Sequence, residues 1–238
     1  MAHDWRDLFV QTDREGVAAL ADAAHLAAAT LPTSDLPRRA VPATELRDLA
    51  WSLPIFPEHG EELGDVLVDQ NARVFAHSVW PQHVATVAHL HPPATVVAAA
   101  SEVVIAAANQ SMDSFDQSPM GTHVELALLQ TVARALGLPE SASGVMTSGG
   151  TASNLLGLTL ARAVTGRRMG VDVAAEGLPD EARQWRFLCS DQAHFSVERA
   201  AAQLGLGRHS VLRVPSDERG RMDVAALDRT LDDAVGEG

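Results

Sequence analysis

The chain has 238 residues, enough to bury a sizeable core as one large domain or two small ones. Its net charge is −13 and its arginines are scattered, which argues against a nucleic-acid partner, because such proteins normally carry a basic patch. The single cysteine, Cys189, excludes an internal disulfide and favours a reducing compartment, so we expect a cytoplasmic protein.

The first half of the chain predicts helices joined by proline-rich and irregular segments. Residues 13–30 are typical of an amphipathic helix that Thr12 or Asp13 could cap and that Pro32 ends. We expect Thr44 to be the N-cap of the second helix. Further helices are expected over four ranges: 44–52, 61–73, 94–110 and 122–136.

The most apolar run, residues 94–108, consists mainly of Ala and Val. It is too short to span a bilayer, and the first ten residues lack the apolar region of a signal peptide, so no membrane segment is predicted. We interpret the run as core or dimer interface. A group of histidines lacks cysteine or carboxylate partners at a recognisable spacing, so no metal site is predicted. These histidines are His77, His83, His89 and His91.

From residue 144 the pattern changes to alternating strands and helices, which predicts a parallel α/β sheet. Residues 166–180 are expected to form an exposed loop. A three-stranded sheet is small for this architecture, which indicates that the polypeptide is half of a larger unit. The expected strands are 144–147, 185–190 and 210–215, and the expected helices are 151–164, 195–204 and 224–235.

A first motif, residues 147–154, lies where a predicted strand gives way to a helix. Gly149 and Gly150 let backbone N–H groups approach an anion closely, and the new helix N-terminus adds unpaired donors. Ser148 and Thr151 add hydroxyl groups. The motif predicts a phosphate site that is neither the dinucleotide fingerprint nor the P-loop, since the glycine spacing differs and the lysine is missing. The alternative is a glycine turn with a threonine N-cap.

A second motif, residues 190–200, places His194 just after a predicted strand. This is the carboxyl edge of the sheet, where α/β proteins bind ligands. A neutral imidazole there could stack on a flat cofactor ring or relay a proton. The alternative is a capping or core histidine, and Ser196 could cap the following helix.

Together the two motifs resemble the group II pyridoxal phosphate (PLP)-dependent decarboxylases, which include the aromatic L-amino-acid, glutamate and L-2,4-diaminobutyrate decarboxylases. Residues 190–200 are nearly this family's histidine motif, and residues 147–158 are similar to its phosphate loop and helix. Residues 89–93 and 109–119 most resemble the diaminobutyrate-type branch. The resemblance extends from about residue 75 to about residue 215 in the order that the family has.

This resemblance implies an α/β fold of PLP-dependent transferase type I, like that of aspartate aminotransferase. His194 would be catalytic, stacking on the pyridine ring and assisting proton transfer at the reacting carbon. The residues implied to bind the cofactor are Ser148, Gly149, Gly150, Thr151 and His194. The residues implied to lie near a small amino-acid substrate are Leu90, His91, Pro93 and Asp113.

The resemblance also implies a division into two parts and a dimeric assembly. Residues 1–110 would be an N-terminal helical dimerisation segment, and residues 111–238 the first part of the large PLP-binding domain. The chain contains no lysine. It also lacks the family's aspartate on the pyridine nitrogen, its mobile loop and its small C-terminal domain. We therefore expect an N-terminal half, completed by a lysine-containing chain or a continuation that supplies the Schiff-base lysine; a split enzyme, a processed precursor and a truncated sequence all fit.

The leading functional prediction is that this chain forms one part of a PLP-dependent amino-acid decarboxylase, which is a carboxy-lyase. We expect the chain to be inactive on its own. One alternative is a non-catalytic regulatory paralogue that pairs with an active decarboxylase; its mark would be decay of the cofactor loop, which is intact here. Another is the same fold with a different PLP outcome, such as decarboxylation coupled to oxidative deamination. The sequence leaves the amino-acid substrate open.

Overall fold

The computed structural model describes residues 9–31, 35–87, 90 and 92–236. The chain forms two compact units, Met1–Pro119 and Met120–Gly238, which we describe separately. The assignment of one segment to dimerisation and of the other to cofactor binding stays a prediction.

Helices dominate both units, and a small parallel sheet lies in the second. The α-helices of the described residues are α1 (Arg14–Ala29), α2 (Ala43–Trp51), α3 (Leu63–Arg73), α4 (Val96–Ala108), α5 (Pro119–Ala135), α6 (Gly150–Arg168), α7 (Val173–Glu176), α8 (Ser196–Gln203) and α9 (Val224–Gly236). Two strands, β1 (Phe187–Ser190) and β2 (Val211–Val214), form the sheet. Short 3₁₀ turns occupy Phe75–His77, Phe115–Gln117, Asp180–Gln184 and Arg208–Ser210.

In the first unit the predicted helices are present, with one correction to a cap. Asp13 is the N-cap of α1, where its carboxylate accepts a hydrogen bond from the N–H of Gly16 at 2.8 Å. Thr44 is not the N-cap of α2: the helix begins at Ala43, so the threonine already lies in its first turn, and Pro42 holds the cap position without a side-chain bond.

Helix α4 presents an apolar surface. Thr95 caps its start through a hydrogen bond from the N–H of Ala98, and Asn109 ends it in the left-handed conformation with φ 43°. Its valines are largely exposed within this chain, with Val96 at 86%. No helix of the described residues is long and apolar enough to cross a membrane.

The second unit is built around two parallel strands and the helix that connects them. Strand β1 pairs in parallel with β2, with Phe187 opposite Val211 and Ser190 opposite Val214. Helix α8 connects the strands and packs on β2 and α6, and it buries two alanines between them. This strand–helix–strand arrangement confirms the predicted parallel α/β architecture.

The predicted third strand is wrong for the described residues. Residues 144–147 are not part of any sheet, because no described strand lies beside them to complete a ladder. The backbone instead bonds to a side chain: the N–H of Met146 donates to Oε1 of Glu125 on α5, at 2.8 Å. An extended segment fixed in this way still leads directly into the first motif.

The exposed loop predicted at 166–180 is also partly wrong. Helix α6 continues to Arg168, and the short helix α7 follows it. Gly166 makes this junction compact, since a Cβ there would lie 2.3 Å from Cγ2 of Val173. Both residues are buried, so a helix-to-helix contact replaces the expected loop.

Candidate active site

The glycine-rich motif forms a sharp entry into helix α6. Gly149 occupies the N-cap position with φ 153° and ψ 171°, a conformation that a residue with a side chain rarely adopts. Gly150 is the first helical residue. Apart from each glycine, its chain neighbours and the adjoining helix backbone, no atom of the described residues lies within 4 Å of the place where a Cβ would stand on either glycine, so the space beside this backbone is open.

Unpaired hydrogen-bond donors converge at this helix start. Within the described residues, the N–H groups of Gly150, Thr151 and Ala152 have no partner, and no side chain caps the helix. The hydroxyl groups of Ser148 and Thr151 are likewise without a partner among the described residues, and both side chains are exposed. Because α6 is 19 residues long, its dipole adds partial positive charge to this cluster.

Two further hydroxyl groups hold the loop without occupying its open side. Oγ1 of Thr147 lies 2.6 Å from Oγ of Ser153, on the first turn of α6. It also donates to the carbonyl oxygen of Gly149 at 3.1 Å. The threonine therefore spans the turn from its entry to the helix, which fixes the direction in which the free N–H groups point.

The histidine motif lies at the carboxyl end of β1, as predicted. His194 is exposed, and its ring centroid lies 4.0 Å from that of Phe195. Its Nδ1 lies 2.8 Å from Oγ of Ser196, and the N–H of Ser196 donates to the same nitrogen at 3.3 Å. The expectation that Ser196 caps α8 is wrong: Phe195 holds the N-cap position, and the serine hydroxyl is engaged with the imidazole.

One hydrogen bond joins the two motifs. Nδ2 of Asn154, the fifth residue of α6, donates to Oγ of Ser196 at 2.8 Å. Helix α6 packs against α8, so the N-terminal part of α6 and the loop that carries His194 are neighbours in the second unit. This bond links the helix that begins at the glycine motif to the loop that carries His194.

An arginine that sequence reasoning missed fixes the His194 loop. From β2, Nη1 of Arg213 donates to the carbonyl oxygens of Ser190, Asp191 and Ala193, at 3.2, 3.3 and 2.8 Å. Its Nε and Nη2 bond to Oε1 of Glu198 at 3.0 and 2.9 Å. The bond to Glu198 raises the pKa of Arg213. The sequence does show an arginine inside an otherwise apolar strand, which indicates a specific role. The role itself could not be predicted, because the partners of the arginine are far away in the sequence.

A second polar cluster follows the same strand ends. Asp191 accepts a hydrogen bond of 2.5 Å from Oγ of Ser216, which lowers the pKa of the carboxyl group. Oγ of Ser190 lies 2.8 Å from the same serine hydroxyl. Cys189, on β1, is half-buried, and burial raises the pKa of its thiol. This cluster ties the end of β1 to the segment after β2.

The comparison with known proteins identifies the family. A family model described as the pyridoxal-dependent decarboxylase conserved domain matches residues 48–238, which is most of the chain. The chain belongs to the pyridoxal-dependent decarboxylase family. The predicted resemblance and the predicted PLP cofactor are therefore confirmed at the level of the family.

Several decarboxylases resemble this family member in sequence. It is 42% identical over 164 residues to an L-2,4-diaminobutyrate decarboxylase of Acinetobacter baumannii, covering 66% of this chain and 32% of that protein. It is 40% identical over 193 residues to the enzyme of the same name from Rhizobium meliloti (strain 1021), covering 81% of this chain and 37% of that protein. The chain thus spans about a third of the length of these relatives.

A solved decarboxylase structure confirms the fold type. The crystal structure of the glutamate decarboxylase domain of diaminobutyrate-pyruvate transaminase and L-2,4-diaminobutyrate decarboxylase from Vibrio parahaemolyticus matches with a TM-score of 0.91 and 33% identity. The match covers 98% of this chain and 52% of that one. The PLP-dependent fold type I prediction is confirmed, and the chain spans about half of the solved structure.

The donor set at α6 fits the cofactor of this decarboxylase family. Free N–H groups, free hydroxyls and a helix N-terminus are the groups that bind a phosphate dianion, and the open space beside Gly149 and Gly150 leaves room for it. Of the residues predicted near the substrate, Leu90, Pro93 and Asp113 are described and lie in the first unit. Leu90 is fully exposed, and the N–H of Asp113 donates to Oγ of Ser111. His91 lies outside the described residues.

Proposed function

We propose that this chain supplies the phosphate-binding loop and the ring-stacking histidine of a PLP-dependent amino-acid decarboxylase. The observation that carries the proposal is the cluster of unpaired donors at the start of α6, hydrogen-bonded through Asn154 and Ser196 to the His194 loop. Family membership gives this cluster a matching ligand, since PLP carries a phosphate on a flat aromatic ring.

The phosphate would be held by four residues with different roles. The backbone N–H groups of Gly150 and Thr151 donate at the positive end of the helix dipole. The hydroxyls of Ser148 and Thr151 add two donors, and Gly149 provides the turn that only a glycine makes easily. Each hydrogen bond to a charged phosphate contributes about 1.5–3 kcal/mol, so several together give firm anchoring.

His194 is proposed as the catalytic residue of this chain. Bound PLP supplies the electron sink for the carbanion left when carbon dioxide departs. The exposed imidazole of His194 would stack against the cofactor ring and act in proton transfer at the reacting carbon. The Arg213 and Glu198 pair would hold its loop in position.

A lysine amine from outside this sequence completes the proposed site. All 18 Lys and Arg residues of the chain are arginines, and a guanidinium does not replace the amine that holds PLP covalently. We propose that a complementary lysine-containing chain or continuation provides it, and that the completed unit is a dimer. The intact donor cluster at α6 favours this role over that of a non-catalytic regulatory paralogue.

L-2,4-diaminobutyrate is the proposed substrate. The support is that both bacterial relatives described above, at 42% and 40% identity, are named as decarboxylases of this amino acid. In this proposal Leu90, His91, Pro93 and Asp113 lie near the substrate, and the carboxylate of Asp113 pairs with the second amino group of a diamino acid.

The test is the release of carbon dioxide by the assembled protein from L-2,4-diaminobutyrate, L-glutamate and an aromatic L-amino acid. We expect turnover of the first and a loss of about 10²–10⁴-fold in kcat for His194→Phe, with a smaller change in PLP affinity. His209→Phe, on an exposed 3₁₀ turn, is the matched control. Full turnover by His194→Phe would refute the role of His194, and preference for another amino acid would refute the substrate.

A further inference from the structure

We propose that Asn154 and Ser196 are positioning residues that set the tautomer of His194, through a hydrogen-bond relay from α6 to the imidazole. The relay consists of the Asn154 amide, the Ser196 hydroxyl and Nδ1 of His194, with two links of 2.8 Å each. The inference rests on the role proposed for His194 above. It adds which ring nitrogen carries the proton and which side chains decide this.

The direction of the relay follows from the one donor whose role is fixed. A backbone N–H can only donate, and that of Ser196 donates to Nδ1 of His194, so this nitrogen carries a lone pair. The amide Nδ2 of Asn154 donates to Oγ of Ser196, which leaves the serine hydrogen free to donate onward to Nδ1. Both bonds to Nδ1 therefore require the same ring tautomer, with the proton on Nε2.

The Ser196 hydroxyl, which is the central group of this relay, is buried and therefore has a fixed set of hydrogen-bond partners. Ser196 is 1% exposed, so water does not compete for its hydroxyl. Arg213 holds the preceding carbonyls, which fixes the loop on which His194 stands. Nε2 has no hydrogen-bond partner among the described residues, so its N–H is the group of His194 that is free to donate to a ligand.

Replacing Asn154 by Asp should reverse the direction of the two side-chain bonds. A carboxylate accepts the Ser196 hydroxyl hydrogen, so Oγ must then accept from Nδ1, and the histidine proton moves from Nε2 to Nδ1 with loss of the longer bond from the N–H of Ser196. Outer hydrogen-bond partners of metal-bound histidines typically contribute about 10–100-fold to affinity or activity, and we expect kcat to fall by a factor of about that order in Asn154→Asp.

The double variant Asn154→Asp with Ser196→Ala distinguishes this relay from a merely structural role. Without the hydroxyl, the new carboxylate is disconnected from the imidazole, and the backbone N–H of position 196 still donates to Nδ1. The proton returns to Nε2, so turnover should recover part of the loss. If the residues only stabilised the fold, the double variant would lose at least as much as the single one.

The direct measurement is the ¹⁵N NMR spectrum of the assembled protein labelled with ¹⁵N-histidine, with the His194 signals assigned by their loss in His194→Phe. We expect a proton on Nε2 in the parent protein and on Nδ1 in Asn154→Asp. Gln203→Glu makes the same amide-to-carboxylate change at the exposed end of α8, outside the relay, and should leave the tautomer unchanged.

A proton on Nδ1 in the parent, or an unchanged tautomer in Asn154→Asp, would overturn the relay. The proposed function fails separately: if the tautomers change as expected but His194→Phe keeps full turnover, the relay stands and the catalytic assignment of His194 falls.

Discussion

Replacing Gly149 by alanine should destabilise the protein through its backbone and not through a clash. With φ 153° and ψ 171°, this residue occupies a region that is essentially restricted to glycine. An added Cβ meets no atom of the described residues within 4 Å beyond its chain neighbours, so crowding by other parts of the fold contributes nothing. Holding a non-glycine residue in such a conformation costs about 1–3 kcal/mol, and the free energy of unfolding should fall by that amount.

Gly150→Ala is the matched control, because the neighbouring glycine is also open to solvent but has helical geometry. Alanine loses less backbone entropy on folding, so this variant should be as stable as the parent or more stable by about 0.4–1 kcal/mol. Its methyl group would, however, stand in the space proposed for the phosphate. Gly150→Ala should therefore weaken PLP binding without loss of stability, whereas Gly149→Ala should lose both.

Urea denaturation of the apo protein measures the stability change, as a shift in midpoint at constant slope. A PLP titration of the folded protein measures the cofactor affinity. Equal stability of Gly149→Ala and the parent would refute the strain argument. Unchanged PLP affinity in Gly150→Ala would refute the phosphate position.

Three further predictions concern the neighbouring groups. Arg213→Met should lower the melting temperature and turnover more than Glu198→Gln, because the arginine also bonds to three loop carbonyls; similar melting curves would contradict this. Hydrogen bonds from Arg221 lower the pKa of Asp217, so its stabilising effect is present above the ordinary carboxyl value of about 3.9 and is lost as the pH falls below it. The stability difference between the parent and Asp217→Asn, from urea denaturation, should therefore shrink as the pH falls below the ordinary carboxyl value. Borohydride treatment of the assembled protein with PLP should leave no pyridoxyl adduct on this chain by mass spectrometry, since it has no lysine; an adduct on an internal residue would contradict the proposal.

Local patterns in the sequence predicted the parts of the site that depend on local chain geometry. The turn at Gly149 and the helix after it follow from neighbouring residues, and so does the placement of His194 directly after β1. Strand pairing is different. Residues 144–147 have an apolar pattern, but a strand also needs a neighbour, and none of the described residues provides one.

The interactions that organise the site could not be predicted, because they join residues far apart in the chain. Asn154 and Ser196 are separated by 42 positions and meet only because α6 packs against α8. Arg213 lies 20 positions from the carbonyl of Ala193 that it holds. In both cases the sequence shows a polar residue but not the partner that gives it a role.

If the start of α6 binds the phosphate of PLP, the PLP dissociation constant of Thr151→Ala should exceed that of the parent protein. Removing one hydroxyl donor to a charged group should weaken binding by about 1.5–3 kcal/mol, or roughly 10- to 150-fold, while the backbone donors keep part of the affinity. Thr159→Ala is the control on the same helix, where the hydroxyl already bonds to the carbonyl oxygen of Leu155 at 2.7 Å. We expect only Thr151→Ala to weaken PLP binding. Equal affinities for Thr151→Ala, Thr159→Ala and the parent would contradict it.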